Sequence, residues 1–298
     1  MNVVFCGTGW LPIVDAIRAR LPAGATIRVR SGGRPLVDEL ADADVILPSN
    51  ARIDAAAIAA PRALRLIQQP AVGYEGVDLG AARARGVPVC NAPAVNSAAV
   101  AETALFLLVA LAKRLPRARQ SFADATIGVP VGTELDGKTL GVIGRGRSGE
   151  RVAAVAAALG MRVLSVTSAS TRADLLALLA ASDFVSIHCP LGPATRGMVD
   201  DEAFAAMVPG AFLVNCARGA IVDRGALERA LPRLGGVGLD VFWHEPWDPA
   251  DPLYARDNVV VLPHLGGSTE EAFGRLAAVV ADNIGRVMRG EEPLFRVA

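Results

Sequence analysis

The fold is decided by the stretch Thr139-Leu140-Gly141-Val142-Ile143-Gly144-Arg145-Gly146-Arg147-Ser148-Gly149. An apolar run with the character of a strand leads into a GxGxxG pattern, and a helical pattern follows over Gly149–Leu159. In this context the first glycine permits a tight turn, the second admits a pyrophosphate to the backbone, and the third lets the helix pack on the strand. The phosphates would face the helix N-terminus. We therefore predict a dinucleotide-binding loop made by Gly144, Gly146, Arg147, Ser148 and Gly149; the alternative is a glycine-rich turn without a ligand.

On the C-terminal side of this loop, short apolar runs alternate with helical patterns. The predicted strands are Leu140–Ile143, Arg162–Val166, Phe184–Ile187, Phe212–Asn215, Gly236–Leu239 and Val259–Leu262. The predicted helices between them are Gly149–Leu159, Arg172–Ala181 and Arg224–Leu231. Strands that alternate with helices indicate a parallel sheet with right-handed crossovers. Six such strands predict a doubly wound Rossmann sheet.

The N-terminal part of the chain shows the same alternation. Its predicted strands are Val3–Cys6, Ile27–Val29, Val45–Leu47, Leu66–Gln68 and Val87–Cys90, with a helix at Pro12–Arg20. One long helix is predicted over Ser97–Leu115, ended by Pro116, as the bridge between domains, and a last helix at about Thr269 to Arg289. If that last helix covers the first sheet, the Rossmann domain is an insertion. We therefore expect an α/β protein with a Rossmann domain at 96–270 inserted into a second α/β domain at 1–95 plus 271–298.

A shorter glycine pattern, Gly7-Thr8-Gly9, follows the first predicted strand. It resembles half of a dinucleotide fingerprint, but the third glycine and an acidic partner for the ribose are missing. We interpret it as a strand-to-helix turn, and a second cofactor site is the alternative.

Composition excludes several classes of protein. The chain has 298 residues, of which 52% are hydrophobic, and this composition excludes a disordered protein. Its formal net charge of zero gives no basic surface that would indicate binding to nucleic acid. Four scattered cysteines without CxxC spacing predict no zinc or other metal site. The start at Met1–Phe5 is typical of a strand rather than a signal peptide, and no apolar run is long enough to cross a membrane. We expect reduced thiols in a cytoplasmic protein.

Three chemically distinct side chains each follow a predicted strand of the second series: Arg218, Glu245 and His264. Because the carboxyl ends of parallel strands share one edge of a sheet, we expect the three to converge there. Arg218 can hold a carboxylate and polarise the adjacent ketone. His264 can exchange a proton with the ketone oxygen, and Glu245 can orient the imidazole and favour its charged form. Each residue alone also fits a structural role in a loop.

The adenosine end of the predicted cofactor site is less typical. An NAD-selective site has an acid at the end of its second strand, but this chain has Thr167 and Ser168, followed by Arg172. Hydroxyl groups and an arginine suit a 2′-phosphate better, which favours NADP slightly over NAD; Arg172 as a solvated helix residue is the alternative. Cys189 and Pro190 resemble a wall against the adenine, and we interpret the preceding His188 as structural.

These residues resemble the D-isomer-specific 2-hydroxyacid dehydrogenases over roughly residues 66 to 298, whereas residues 1 to 65 match only in pattern. The matching blocks are Val72-Gly73-Tyr74-Glu75-Gly76-Val77-Asp78, Asn91-Ala92-Pro93, Gly137-Lys138-Thr139-Leu140-Gly141-Val142-Ile143-Gly144, Asn215-Cys216-Ala217-Arg218-Gly219, Leu239-Asp240-Val241-Phe242, Glu245-Pro246 and Pro263-His264-Leu265-Gly266-Gly267-Ser268-Thr269. Arg218, Glu245 and His264 fall on the family's catalytic positions.

The resemblance has further implications for fold, ligands and assembly. It implies a flavodoxin-like substrate domain made from both ends of the chain, an inserted Rossmann domain, and a homodimer joined through the cofactor domains. Val72 and Gly73 would meet the substrate carboxylate through backbone groups, together with Arg218, and Asp240 would hold the nicotinamide carboxamide. The remaining candidate cofactor contacts are Cys189, Pro190, Cys216, Ala217, His264, Gly266 and Gly267. Since the sequence stops soon after the last helix, no regulatory domain is expected.

The combined prediction is an NAD(P)-dependent reductase of a small 2-keto acid, with glyoxylate or hydroxypyruvate as the first candidates. The side-chain pocket would be lined by the first domain and the loop around Trp243–Trp247, where no basic cluster indicates a phosphorylated substrate. Two alternatives remain at this stage. One is a non-catalytic dinucleotide-sensing protein of the corepressor kind, and the other is a scaffold that binds the cofactor with an inactive site.

Overall fold

Two parallel sheets form the framework of the protein in a computed structural model that describes all residues from Met1 to Ala298. The chain divides into two units, one made by Met1–Asn96 with Ser268–Ala298 and the other by Ser97–Gly267. Each unit contains one sheet with helices, five strands in the first and six in the second. The predicted α/β class with a doubly wound sheet is confirmed.

Eleven strands and eleven α-helices alternate along most of the chain. The strands are β1 Asn2–Phe5, β2 Thr26–Val29, β3 Val45–Leu47, β4 Leu66–Gln68, β5 Val89–Cys90, β6 Thr139–Ile143, β7 Arg162–Val166, β8 Phe184–Ile187, β9 Phe212–Asn215, β10 Gly236–Leu239 and β11 Val259–Val261. The helices are α1 Pro12–Arg18, α2 Leu36–Glu39, α3 Ala55–Ala59, α4 Leu79–Ala84, α5 Ser97–Ala112, α6 Leu115–Ala123, α7 Arg147–Ala158, α8 Arg172–Ala180, α9 Asp201–Ala206, α10 Arg224–Ala230 and α11 Glu270–Met288. None of these helices combines the length and the apolar character needed to cross a membrane.

The first unit has the strand order β2-β1-β3-β4-β5, and every pairing is parallel. Side chains alternate across the sheet, so Val3 and Phe5 of β1 enter one core and Val4 enters the other. The first core is completed by α1 and by the last helix, α11. Asn283 of α11, which is fully buried, donates from its side chain to Gln68 at 2.6 Å and fastens the helix to β4.

The second unit has the strand order β11-β10-β9-β8-β6-β7, again entirely parallel. The chain starts at β6, places β7 on one side, and then returns to build β8 to β11 on the other. The strand order therefore reverses between β6 and β8. In an open α/β sheet, the crevice beyond the carboxyl ends of the strands at such a reversal is the usual ligand site.

The bridge helix differs from the prediction. A single helix over Ser97–Leu115 ended by Pro116 is wrong, because α5 ends at Ala112 and α6 begins at Leu115. Arg114 between them has a left-handed backbone with φ of 51°. Proline fits the first turn of a helix, where its missing N–H has no helical partner. Pro116 therefore lies at the start of a second helix.

Four short helices, α2, α3, α4 and α9, were not predicted, because four to six residues are too few to show a helical period. Three of them carry aspartate caps, since the carboxylates of Asp54, Asp78 and Asp200 accept a backbone N–H of the first turn. The Gly7-Thr8-Gly9 segment is a turn whose Thr8 and Gly9 N–H groups donate to the side chain of Asn50. The side chain of Asn50 thus accepts the N–H groups of this turn.

Candidate active site

The predicted dinucleotide loop lies at the reversal of strand order, directly after β6. Gly144 has φ of +100°, and a Cβ there would lie 2.8 Å from the backbone nitrogen of Cys189. A Cβ on Gly149 would overlap the carbonyl oxygen of Gly144. No atom lies within 4 Å of the place where Gly146 would carry a Cβ. Two glycines are thus required by the fold itself, whereas Gly146 leaves open space beside the N-terminus of α7, where a pyrophosphate fits.

The two arginines of this loop differ in their partners. Arg145 forms an ion pair with Glu150 of the first turn of α7, at 2.5 Å. Arg147, the first residue of α7, is exposed and makes no ion pair. A cation and the first N–H groups of the helix therefore lie together at the start of α7.

A hydrogen-bonded row of three side chains lies behind the loop. His188 follows β8; its Nε2 lies 2.8 Å from Ser186 Oγ and its Nδ1 3.3 Å from Ser148 Oγ. Burial lowers the pKa of His188 to about 4, so the ring is neutral at neutral pH. The next residues, Cys189 and Pro190, are half-buried and exposed, and burial raises the pKa of the Cys189 thiol to about 11.

At the adenosine end, β7 stops at Val166 and a turn rich in hydroxyl groups follows. Thr167 is exposed; its N–H donates to Ser170 Oγ at 3.1 Å, and its own Oγ1 accepts from the N–H of Ala169 at 3.3 Å. Ser168 is also exposed. The side chains of this turn thus offer hydroxyls and neither an acid nor a cation.

Arg172 was predicted to suit a 2′-phosphate, but its guanidinium is already held by other groups. It forms ion pairs with Asp200 and Glu202 and donates to the carbonyl of Met198 at 2.6 Å. These hydrogen bonds with carboxylates raise the pKa of Arg172 against the opposing effect of burial. Only the missing acid at Thr167 therefore still favours NADP.

The three predicted catalytic residues lie on the loops that follow β9, β10 and β11, which are neighbouring parallel strands. His264 Nδ1 and Glu245 Oε2 are 2.6 Å apart, and each side chain is 25% exposed. Glu245 Oε1 accepts the N–H of Phe242 at 3.0 Å, which fixes the carboxylate. Burial would raise the pKa of Glu245, but the hydrogen bond with His264, the charges of His264 and Arg218, and the Phe242 N–H lower it overall. A carboxylate thus holds the imidazole of His264 through Nδ1.

Arg218 is positioned by a buried asparagine at the end of β9. The side chain of Asn215, fully buried, donates to the Arg218 carbonyl at 2.9 Å and accepts from Ala217 N–H at 3.0 Å. Gly219 packs against the backbone of Phe242, where a Cβ would collide with the carbonyl group. The loops that carry Arg218 and Glu245 are therefore packed backbone to backbone. Sequence reasoning did not single out Asn215, although a polar residue ending a buried strand is a usable signal.

Asp240 connects the loop after β10 with the loop after β11. Its carboxylate is 1% exposed and accepts the N–H groups of Leu265 and Gly266, both at 2.8 Å. Gly266 is required there, since a Cβ would lie 2.7 Å from an Asp240 oxygen. Burial raises the pKa of Asp240 to about 6, against the lowering effect of the two N–H groups and of His264. Asp240 thereby positions the chain next to His264, whose φ of 52° is unusual for a residue other than glycine.

The remaining predicted cofactor contacts at the carboxyl ends of these strands differ in how deeply they are buried. Ala217 and Gly267 are half-buried, and Cys216 is buried, with a thiol pKa raised well above its usual range by burial and by Asp240. Cys216 therefore lies in the core beneath the loop that follows β9, as a neutral thiol.

Val72 and Gly73, the predicted backbone contacts of the substrate carboxylate, belong to the first unit. The carbonyl of Val72 accepts the side-chain N–H of Asn91 at 2.8 Å. The adjacent Ala71 carbonyl accepts the N–H of Ala92 at 2.9 Å. The Val72 side chain is 40% exposed. The loop after β4 is thus held by the Asn91-Ala92 segment.

Comparison with known proteins matches residues 105–266 to the profile described as "D-isomer specific 2-hydroxyacid dehydrogenase, NAD binding domain". D-3-phosphoglycerate dehydrogenase of Mycobacterium tuberculosis is 40% identical over 271 residues, covering 86% of this chain and 51% of the relative. Glyoxylate reductase of Korarchaeum cryptofilum is 38% identical over 259 residues, covering 81% of this chain and 78% of the relative. The crystal structure of the TT0316 protein of Thermus thermophilus superposes with a TM-score of 0.90 at 36% identity, with both chains covered completely. The chain spans about half the length of the phosphoglycerate dehydrogenases it matches.

The glycine geometry predicts different effects for two substitutions in the loop. Gly149→Ala should lower both the thermal stability and the affinity for NADH, because the new Cβ forces the loop away from the Gly144 carbonyl. Gly146→Ala should leave the melting temperature within about 2 °C and still weaken NADH binding by roughly tenfold, because the methyl group fills only the open space. Calorimetry and fluorescence titration measure the two quantities. Undiminished NADH binding by Gly146→Ala would contradict the assignment of the open space to the pyrophosphate.

The raised pKa of Asp240 predicts a pH dependence of stability. The pKa of the Asp240 carboxyl is raised from its ordinary value of 3.8 to about 6. The shift therefore stabilises the folded state fully below pH 3.8, and this stabilisation is lost as the pH rises through about 6. Its full size is about 3 kcal/mol. Urea unfolding at pH 4.5, 5.5 and 7 should therefore show this decline in the wild type relative to Asp240→Asn. Equal pH profiles for the two proteins would show that Asp240 is not the responsible group.

Proposed function

Because the chain belongs to the D-isomer specific 2-hydroxyacid dehydrogenase family, we propose that it transfers a hydride between NAD(P) and a small 2-keto acid or D-2-hydroxy acid. The observation that carries this proposal is the 2.6 Å contact of His264 Nδ1 with Glu245. It lies on the same sheet edge as the loop of Arg218. An imidazole with one nitrogen held by a carboxylate is a proton donor and acceptor, and a nearby guanidinium binds a carboxylate.

The residues of the second unit have separate roles in this proposal. The nicotinamide supplies or takes the hydride when it is bound. Arg218 binds the carboxylate of the keto acid and withdraws electrons from the adjacent carbonyl. His264 gives a proton from Nε2 to the carbonyl oxygen during reduction and takes it back during oxidation. Glu245 holds the imidazole so that Nε2 carries that proton, and it stabilises the charged ring.

Other candidate residues hold the ligands in place. We assign the pyrophosphate to the loop of Gly144, Gly146 and Gly149, with Arg147 and Ser148 at the start of α7. Asp240 and the Gly266–Gly267 segment are assigned to the nicotinamide end. In the first unit, backbone groups of Val72 and Gly73 are assigned to the substrate carboxylate, following the resemblance to the family.

Glyoxylate and hydroxypyruvate are the substrates we propose first. The loop from Trp243 to Asp251 contains two aspartates and one glutamate but neither lysine nor arginine, which is unfavourable for a phosphorylated substrate. Trp243 is fixed there by a hydrogen bond of 2.7 Å from its ring N–H to the carbonyl of Val222. Trp247 packs on Phe242 with ring centroids 4.4 Å apart. These two contacts fix the rings within the loop.

For the coenzyme, we propose that NADPH and NADH are both accepted, with only a small preference for NADPH. The missing acid at Thr167 removes the usual repulsion of a 2′-phosphate. The engagement of Arg172 with Asp200 and Glu202 removes the cation that would attract one.

We also propose that the protein is a homodimer joined through the second unit. Exposed apolar side chains are concentrated on α5, α6 and the loop that follows; they are Phe106, Val109, Phe122, Ile127, Val129 and Val131. Ile127 is 97% exposed and Phe122 is 89% exposed, which is costly for a lone chain in water.

All four cysteines are free thiols, which fits the cytoplasm as the proposed compartment.

The catalytic assignment predicts distinct kinetic losses. With glyoxylate and NADH, His264→Asn should lower kcat by about 10²- to 10⁴-fold, since the proton donor is lost. Arg218→Ala should raise KM and lower kcat/KM by at least roughly 100-fold, since the carboxylate loses a bidentate partner. Both variants should still bind NADH, which fluorescence titration checks. Full activity of Arg218→Ala on every keto acid would show that the assigned roles are wrong, and NADH binding by the wild type without turnover would favour the dinucleotide sensor.

The proposed coenzyme preference predicts that one substitution, at Thr167, changes the selectivity between NADPH and NADH. Thr167→Asp should lower kcat/KM for NADPH by at least tenfold and spare NADH, since the carboxylate repels the 2′-phosphate and accepts from the ribose hydroxyl. Thr167→Asn, of equal size without charge, is the matched control. Arg172→Ala should leave the NADPH to NADH ratio unchanged. A large fall of that ratio in Arg172→Ala would contradict the account.

The proposed dimer is tested by light scattering coupled to size exclusion. Phe122→Asp should shift a dimeric wild type toward monomer, because a charge replaces an aromatic ring at the contact. Phe295→Asp changes an exposed phenylalanine of the first unit in the same way and should have no such effect. A wild type that is monomeric at micromolar concentration would refute the dimer.

A further inference from the structure

Behind the dinucleotide loop, His188 and Ser186 continue from Ser148 in a neutral hydrogen-bonded row, and neither of these two residues has a role in the proposed mechanism. The row connects a core strand with the first turn of the helix proposed to bind the pyrophosphate. Ser186 lies in β8 and is fully buried, whereas Ser148 is the second residue of α7 and half-buried. The two hydroxyls are joined through opposite nitrogens of one imidazole.

The hydrogen-bond inventory decides which nitrogen of His188 carries the proton. A neutral imidazole has one donor nitrogen and one acceptor nitrogen, and a serine hydroxyl has one proton to donate. Ser186 Oγ has no hydrogen-bond partner besides His188 Nε2, at 2.8 Å. If Nε2 carried the proton, the buried Ser186 hydroxyl proton would have no acceptor, which is unfavourable. Nε2 therefore accepts from Ser186, and Nδ1 carries the ring proton.

This tautomer fixes the direction of the last hydrogen bond. Nδ1–H donates to Ser148 Oγ, 3.3 Å away. The Ser148 hydroxyl makes no other hydrogen bond, so its own proton is left for an acceptor outside the row. That acceptor would approach the start of α7, where free N–H groups of the first turn and the unpaired Arg147 favour an anion.

The ring has little freedom to leave this position. A Cβ on Gly149 would lie 3.2 Å from the Cβ of His188, and a Cβ on Gly144 would lie 2.8 Å from the His188 carbonyl carbon. The glycines that shape the loop are therefore packed directly on His188. The same close approach that admits the pyrophosphate also holds the imidazole against Ser148.

We propose that Ser148 donates a hydrogen bond from its hydroxyl to a pyrophosphate oxygen of the dinucleotide, and that His188 is a positioning residue that directs this proton outward. Ser186 acts one step further away by holding His188 in the Nδ1–H tautomer. The inference rests on the proposed binding of NAD(P) and adds specific roles for three side chains.

The first test is nitrogen NMR of the free wild type labelled at histidine. The chain has only three histidines, and His188→Asn identifies the signals of His188. We expect a protonated Nδ1 and an unprotonated Nε2 for His188 at pH 7. A dominant Nε2–H tautomer would overturn the proposed direction without any cofactor being present.

The second test is a double-mutant cycle on the dissociation constant of NADH, measured by fluorescence titration. Ser148→Ala should raise this constant about tenfold, and Ser186→Ala about threefold, because the ring can then adopt either tautomer. In the Ser148→Ala background, Ser186→Ala should have no further effect. Equal effects of Ser186→Ala in both backgrounds, or an unchanged constant for Ser148→Ala, would overturn the proposal.

A conservative pair at position 188 separates positioning from packing. His188→Asn keeps an N–H near the place of Nδ1 and should stay within about threefold of the wild-type constant, whereas His188→Leu should match Ser148→Ala. Loss of affinity to the same extent in both variants would overturn the positioning role. A wild type that binds neither NADH nor NADPH would instead refute the proposed function, and the NMR result would still decide the tautomer.

Discussion

The structure of the proposed site depends on one constraint, the parallel pairing of neighbouring strands in the six-stranded sheet. Parallel strands end at the same edge, so the loops after β9, β10 and β11 lie side by side even though His264 lies 46 positions after Arg218 in the sequence. Helices between the strands supply the connections and carry no side chain of the catalytic set. The chemistry is thus concentrated on loops that a rigid sheet positions.

The loops that carry Arg218 and His264 are held in place by hydrogen bonds to two buried polar side chains, Asn215 and Asp240. Asn215 fastens the loop of Arg218 through both ends of its amide. Asp240 fastens the segment next to His264 through two N–H groups, even though burial raises the pKa of its carboxyl to about 6. A buried carboxylate is costly, and its retention here is consistent with a requirement for accurate placement of the imidazole. The hydrogen bonds that hold Glu245 complete the arrangement.

Much of this arrangement was predictable from the sequence because its signals are local. The GxGxxG pattern after an apolar run located β6 and α7, and apolar runs bounded by glycine or polar residues located strands such as Phe212–Asn215 and Gly236–Leu239. The positions of Arg218, Glu245 and His264 after successive strands predicted their shared edge. The partners of Arg172 were not predictable, because Asp200 and Glu202 lie about 30 residues away and belong to a helix too short to show a period. Pro116 was misinterpreted because a proline can mark either the end of one helix or the first turn of the next, and here it lies in the first turn of α6.

We propose that this chain moves a hydride between a nicotinamide and C2 of a D-2-hydroxy acid. This transfer is tested by incubating the protein with hydroxypyruvate and NADH that carries two deuterium atoms at C4 of the nicotinamide, followed by chiral chromatography and mass spectrometry of the glycerate formed. We expect D-glycerate with one deuterium at C2. Unlabelled glycerate, the L enantiomer, or no product from a protein that binds NADH would refute the proposed transfer.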